Sequence, residues 1–287
     1  MKLASIKTSN GERAAVFDGG TYIDIQTTDP SLPSRLRCIL DQGEATLAKV
    51  AALKNNPKAV RINPTDVTLL SPITEPNKVI CVGLNYKDHA AESGLPVPRE
   101  PVLFSKFPTA LTGHDQPIVL PPVSNKVDYE AELVLVIGTK GRNIKAADAM
   151  KHLAGYTIGH DVSARDWQLE KDGKQWMIGK TFDTFAPCGP YLVTRDEIAD
   201  PHKLNIKLRL NSHTMQDSNT SQFIFTIPEI IAYISQVVTL LPGDLIFTGT
   251  PPGVGMARKP PVLLKAGDLC EVEIEGLGIL RNPVVMG

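Results

Sequence analysis

The stretch richest in chemistry is Tyr129-Glu130-Ala131-Glu132-Leu133-Val134-Leu135-Val136-Ile137. In an extended strand alternate side chains share a face, so Glu130, Glu132, Val134 and Val136 point one way and Ala131, Leu133 and Leu135 the other. One face is wholly apolar; the second opens with two carboxylates and continues as core. Same-face neighbours sit about 7 Å apart along a strand, close enough for two carboxylates to converge on one cation that offsets their burial. Taken alone, the pair also reads as a strand end emerging into water with two surface glutamates.

A third acid, on a second segment, changes that balance. Gly155-Tyr156-Thr157-Ile158-Gly159-His160-Asp161 reads as a strand ending in a carboxylate, and Ser163-Ala164-Arg165-Asp166 as a helix start with Ser163 as N-cap. Three carboxylates, Glu130, Glu132 and Asp161, suit Mg²⁺ or Mn²⁺, whereas zinc prefers His or Cys. Thr248-Gly249-Thr250-Pro251-Pro252-Gly253-Val254-Gly255 is a strand running into a Gly-rich loop. It lacks the Gly-Lys-Ser/Thr of a nucleotide loop, but its N–H groups suit a carboxylate or enolate oxygen. In a helix beginning near Tyr86, His89 and Glu92 are neighbours on one face, where the carboxylate orients the imidazole for proton transfer. Each of the last two also has an ordinary reading, as a turn and as a surface ion pair.

The elements that position these residues follow from the rest of the chain. Its 287 residues are 42% hydrophobic and 21% charged, an ordinary globular composition long enough for a large and a small domain. A net charge of -1 points away from nucleic acid and from a membrane surface as partners. The N-terminus has no apolar stretch of the secretory kind, and no segment is long and apolar enough to span a bilayer. Cys38, Cys81, Cys188 and Cys270 are scattered, which fits a reducing compartment: cytoplasm, or the mitochondrial matrix for a processed eukaryotic chain.

Residues 1–70 read as a small α/β N-terminal domain. Strand-like runs at Leu3–Ile6, Ala14–Phe17 and Tyr22–Ile25 are joined by turns at Asn10-Gly11 and Asp18-Gly19-Gly20. Leu36, Leu40, Leu47, Val50 and Leu53 then recur at helical spacing, interrupted by Gly43. Residues 71–287 are mainly β with some α. Short strand runs recur at Val79–Val82, Val102–Phe104, Ile118–Leu120, Glu132–Ile137, Lys207–Leu210, Leu245–Thr248 and Cys270–Ile274. The clearest helix opens on the Thr226-Ile227-Pro228-Glu229 capping box, presents Ile227, Ile230, Ile231, Ile234, Val237 and Val238 on one face, and stops at Pro242-Gly243-Asp244. Many strands with few helices predict a closed or nearly closed β structure with peripheral helices.

In order along the chain, V-G-L-N-Y-K-D-H, E-P-V-L-F-S-K, D-Y-E-A-E-L, H-D-V-S-A-R-D, G-K-T-F-D-T and T-G-T-P-P-G-V-G resemble the motifs of the fumarylacetoacetate hydrolase superfamily. The resemblance covers Lys78 to the end, and the first seventy residues are similar to the short N-terminal domain that many members carry. It implies a mixed β-sandwich roll, and Mg²⁺ or Mn²⁺ held by Glu130, Glu132 and Asp161. It also implies Lys180 at the substrate's developing anion, Arg165, Gln168, Gly249 and Thr250 as substrate contacts, and His89 with Glu92 as a dyad on a lid. The family is commonly homodimeric. Its founding enzyme carries a fourth metal carboxylate where this chain has Asn85, which points to smaller 2-oxo acids here.

The implied substrate is a small 2-oxo carboxylic acid and the implied intermediate its enolate. The main expectation is hydrolysis of a C–C bond of an acylpyruvate or 2,4-dioxo acid, with His89 activating water. The alternative is oxaloacetate keto–enol tautomerisation, or decarboxylation, by the same site without that water. Lys174-Gln175-Trp176, Arg258-Lys259-Pro260-Pro261-Val262 and Gln42-Gly43-Glu44-Ala45-Thr46-Leu47 resemble the subgroup that includes mitochondrial oxaloacetate tautomerases, and bacterial 2,4-dioxo acid hydrolases are also similar. A third reading is a protein that binds metal and oxalate at a vestigial site.

Overall fold

The computed structural model describes residues 1–9, 11–94 and 96–287, so Asn10 of the first predicted turn lies outside the described residues. Among these residues twelve strands form one sheet. Its main path runs Arg61–Ile62, Thr21–Asp24, Gly11–Asp18, Lys2–Thr8, Ala186–Thr194, Leu153–His160, Ala131–Ile137, Leu245–Phe247, Val79–Gly83 and Val102–Lys106. A five-stranded sheet comprises His213–Asn219, Asn205–Leu210, Leu269–Ile274, Gly278–Met286 and Ile118–Leu120. The mixed β-with-α class and the sandwich of sheets agree with expectation. Closure does not: the large sheet ends in free edges at Arg61–Ile62 and Val102–Lys106, and no barrel forms among the described residues.

Two cores follow from strand alternation. Ala131, Leu133, Leu135, Tyr156 and Ile158 from the large sheet share one core with Ile206, Leu208, Val272 and Ile274 from the small sheet. Val134 and Val136 point the opposite way and share a second core with Leu36, Ile39, Leu40 and Val50. The N-terminal residues are continuous with the large sheet, since Lys2 and Leu3 pair with Val193 and Leu192.

Local chemistry explains the departures from expectation. Gly43, at φ +80°, splits the predicted helix into Leu36–Asp41 and Glu44–Ala52. Ser163 caps no helix: Ser163–Ala164 is a short strand paired with Val127–Asp128, and the Ser163 hydroxyl donates to the Asp161 carbonyl. The helical turn begins later, at Asp166. The helix Ile227–Val237 opens as predicted, Glu229 accepting from both the N–H and the hydroxyl of Thr226 at 2.7 Å. It ends earlier than predicted, and Val237 is 68% exposed, not on the buried face. No helix among the described residues is long and apolar enough to cross a membrane.

Candidate active site

The Ala131–Ile137 strand turns Glu130 and Glu132 inward. Its neighbour Leu153–His160 is antiparallel with Ala131 opposite His160, so Asp161 emerges beside Glu130 and donates its N–H to the Glu130 carbonyl at 2.9 Å. One oxygen from each of Glu130, Glu132 and Asp161 then lies within 4.8 Å of the others, and all three side chains are buried.

The cations are unevenly shared among these acids. Lys180, at the end of the short helix Trp176–Lys180, donates to Glu130 Oε2 at 2.8 Å and Asp161 Oδ2 at 3.0 Å. Arg165 reaches Glu130 Oε1 at 2.7 Å. Burial opposes ionisation of Glu130, but Lys180 and Arg165 overcome it and hold the group at about 2. Burial likewise opposes the charge on Lys180, and Asp161 and Glu130 more than restore it. Glu132 has no such support: among the described residues no Lys or Arg pairs with it, and it accepts from the Gly249 N–H at 2.8 Å. Burial, compounded by the Asp161 and Glu130 charges, pushes it well above the usual carboxylate range.

The cluster is therefore short of positive charge at Glu132, and Asp161 Oδ1, 2.6 Å from the Lys106 ammonium, is a buried carboxylate oxygen without a hydrogen bond. Both observations fit a divalent cation. An all-carboxylate set suits a hard ion such as Mg²⁺ or Mn²⁺.

A cavity of about 410 Å³ opens onto this cluster. His89, Glu92, Arg165, Gln168, Lys180 and Thr250 all line it with the three acids, so the structure brings together the residues singled out from the sequence, with one exception. That exception is Gly249, whose N–H is already engaged by Glu132. The outer wall is apolar, formed by Leu84, Phe104, Leu169, Trp176, Val254 and Met256. Trp176 lines the cavity and lies over Gly83, where an added Cβ would come within 2.5 Å of its ring.

The helix Lys87–Ser93 presents His89 and Glu92 as expected, with His89 Nδ1 3.2 Å from Glu92 Oε2. The Gly-rich loop behaves differently. Its N–H groups hold the protein's own carboxylates: Gly249 donates to Glu132, Gly253 to Glu92 at 2.9 Å and 3.1 Å, and Gly255 to Asp128 at 2.7 Å. Gly249 needs its glycine, at φ +97° and with a Cβ that would sit 2.8 Å from the Asn85 Cβ. Asn85 spends its amide on the backbone, bonding Thr248 O, Phe225 O and Phe225 N–H. A carboxylate there could not make the two donations.

Two buried charges escaped the sequence reading. Lys106 lies behind Asp161 and donates to the carbonyls of Val162, Lys180 and Phe185. Asp128 joins Arg165 to the Gly-rich loop. Both stood inside quoted motifs, E-P-V-L-F-S-K and D-Y-E-A-E-L, which was the available signal.

Residues 78–285 match the family pattern described as fumarylacetoacetate (FAA) hydrolase, C-terminal. The chain is 53% identical over 270 residues to the Homo sapiens protein named oxaloacetate tautomerase FAHD2A, mitochondrial, covering 93% of this chain and 85% of that one. Among solved structures it is similar to a putative HpcE protein from Mycobacterium smegmatis, at 38% identity and TM-score 0.89 over 100% of both chains. It is also similar to maleylpyruvate hydrolase from Sphingobium.sp SYK-6, at 34% identity and TM-score 0.83 over 100% of both chains.

Proposed function

The chain belongs to the fumarylacetoacetate hydrolase family, and we propose that it is an oxaloacetate keto–enol tautomerase that uses Mg²⁺ or Mn²⁺. The observation that carries this reading is the likeness to the human tautomerase across nearly the whole chain. From the sequence, C–C hydrolysis stood first and tautomerisation second; the relatives reverse that order. An enzyme acting on a small substrate is common to both.

Glu130, Glu132 and Asp161 would hold the ion, which when bound acts as a Lewis acid toward the 2-oxo group. The chain's own residues supply the rest. Lys180 stays protonated between Glu130 and Asp161 and presents fixed positive charge where an enolate would develop. Glu92 is an acceptor only, so Nδ1 of His89 carries the proton in their bond and Nε2 is the nitrogen that exchanges a proton with the substrate. Arg165, Gln168 and Thr250 bind the substrate's carboxylates, and Gly249 contributes by orienting Glu132. The apolar wall keeps bulk water from the reacting carbon.

Residues 1–70 act in this reading as a supporting domain for the catalytic residues 71–287, since the cavity lining starts at Val82. The mitochondrial compartment in the relatives' names is carried over with the activity. Homodimer formation belongs to the same proposal, with the free-edge strand Val102–Lys106 and the exposed Phe107 and Val237 as a candidate surface.

C–C hydrolysis stays as a second reading because the dyad also suits water activation and a maleylpyruvate hydrolase shares the fold. Purified protein with Mg²⁺ should accelerate ketonisation of enol-oxaloacetate, lose that activity in EDTA and regain it on adding the ion. Cleavage of acetylpyruvate with no effect on ketonisation would replace the first reading by the second.

A further inference from the structure

Asp128 is fully buried beside the cavity, accepts four N–H bonds and makes an ion pair with Arg165 Nη2. Its Oδ1 takes Tyr129 N–H at 2.8 Å and Gly255 N–H at 2.7 Å. Its Oδ2 takes Met256 N–H at 3.1 Å and Arg165 Nε at 2.8 Å, and lies 2.8 Å from Arg165 Nη2 as an ion pair. The approach of the loop is close: a Cβ on Gly255 would fall 2.5 Å from Asp128 Oδ1 and 1.9 Å from Val262 O.

The guanidinium of Arg165 has five N–H donors in a rigid plane. Nε donates to Asp128, and Nη2 sits between two carboxylate oxygens as ion pairs, 2.8 Å from Asp128 Oδ2 and 2.7 Å from Glu130 Oε1. One N–H of Nη1 goes to Gln168 Oε1 at 2.9 Å. Gln168 lines the cavity, so Nη1 is on the cavity side, and among the described residues its second N–H makes no hydrogen bond, which leaves it for a ligand. Asp128 grips the opposite edge of the same plane. Because the plane is rigid, fixing that edge fixes the direction of the remaining donor.

We propose that Asp128 is a positioning residue that acts through Arg165, holding the guanidinium against the Gly-rich loop so that Nη1 meets an oxygen of the substrate. The inference rests on the reading of this cavity as a 2-oxo acid site. It assigns Asp128 to substrate binding, separately from the ion.

The test uses oxalate, a planar dianion with the oxygen pattern of a 2-oxo acid, titrated into Mg²⁺-loaded protein by calorimetry. In Asp128→Asn the amide oxygen can still accept from Tyr129 and Gly255, while its NH₂ faces the donors of Arg165 and releases them. Loss of that charge-assisted grip should weaken oxalate binding about tenfold and raise KM for enol-oxaloacetate by a similar factor. The change in kcat should be smaller, and Mg²⁺ affinity should stay near wild type. The double variant Asp128→Asn/Arg165→Gln should bind oxalate no worse than Arg165→Gln alone, since the two residues act as one unit.

Wild-type oxalate affinity in Asp128→Asn, or single losses that multiply in the double variant, would overturn the proposal. If Asp128→Asn does not fold, Asp128→Glu carries the same prediction, because it moves the carboxylate by one methylene. Failure of both to fold would make the residue purely structural and end the proposal. Wild-type protein that binds oxalate without accelerating ketonisation would sink the tautomerase reading alone, and the oxalate comparison would then support or overturn the role of Asp128 by itself. Wild-type protein that does not bind oxalate would remove the 2-oxo acid reading and this inference with it.

Discussion

Asp161 Oδ1 lies 2.6 Å from the ammonium of Lys106 and receives no hydrogen bond from it. The reason is an inventory of protons. All three N–H groups of Lys106 go to the carbonyls of Val162, Lys180 and Phe185. The ammonium thus gives Asp161 its charge from behind as a buried ion pair. Lys106 also ties the segment after Asp161 to the end of the helix that carries Lys180, which fixes two functional side chains with one buried cation.

Lys106→Met should therefore destabilise the fold strongly. It leaves a buried carboxylate without one of its two lysines and three carbonyls without donors, a loss of about 3–5 kcal/mol for a broken buried ion pair. Equilibrium urea unfolding measures it. A variant within about 0.5 kcal/mol of wild type would mean that water or side-chain movement replaces Lys106.

Metal binding should release a proton. Without a cation, folded Glu132 is raised well above its ordinary 4.5, by burial first and then by Asp161 and Glu130, so the folded state holds a proton that the unfolded chain gives up. A raised carboxylate makes the metal-free protein lose stability as pH climbs above 4.5, until the folded group ionises too. Glu130 works in the opposite sense: held at about 2, it contributes stability above 4.5 that is lost as pH falls toward 2. A divalent ion supplies the charge Glu132 lacks and displaces its proton. Mg²⁺ titrations in buffers of different ionisation enthalpy should report about one proton released per ion, with affinity rising with pH. Affinity independent of pH and no proton release would contradict this.

His89→Ala should slow ketonisation by roughly 100- to 10,000-fold, the range expected for loss of a general acid–base group. Stopped-flow absorbance of the enol follows it. Loss of acetylpyruvate cleavage alone, with ketonisation intact, would confine His89 to water activation.

Local periodicity made part of this site legible in the sequence. The period-two pattern of Ala131–Ile137 already separated Glu130 and Glu132 from Leu133 and Leu135, and the two cores fall on those two faces. The Thr226 capping box and the His89–Glu92 helix were equally local. Lys106 and Asp128 were not, because their partners are distant in the chain: Lys106 meets Asp161, Val162, Lys180 and Phe185, and Asp128 meets Arg165, Gly255 and Met256. A lysine in a strand reads as surface until the fold covers it. The Gly-rich loop was legible as a donor of N–H groups, but the identity of its acceptors, Glu132, Glu92 and Asp128, depends on three elements that only the tertiary structure brings together. Ser163 misled for a similar reason: a good N-cap residue was taken into a two-residue strand by Val127–Asp128.

The most direct test of the metal-centred account is an anomalous difference map from crystals of this protein soaked in Mn²⁺. The account predicts a single strong peak among the carboxylates of Glu130, Glu132 and Asp161, absent in Glu132→Ala. Carboxylates turned apart with no peak between them, or a peak unchanged in that variant, would contradict it.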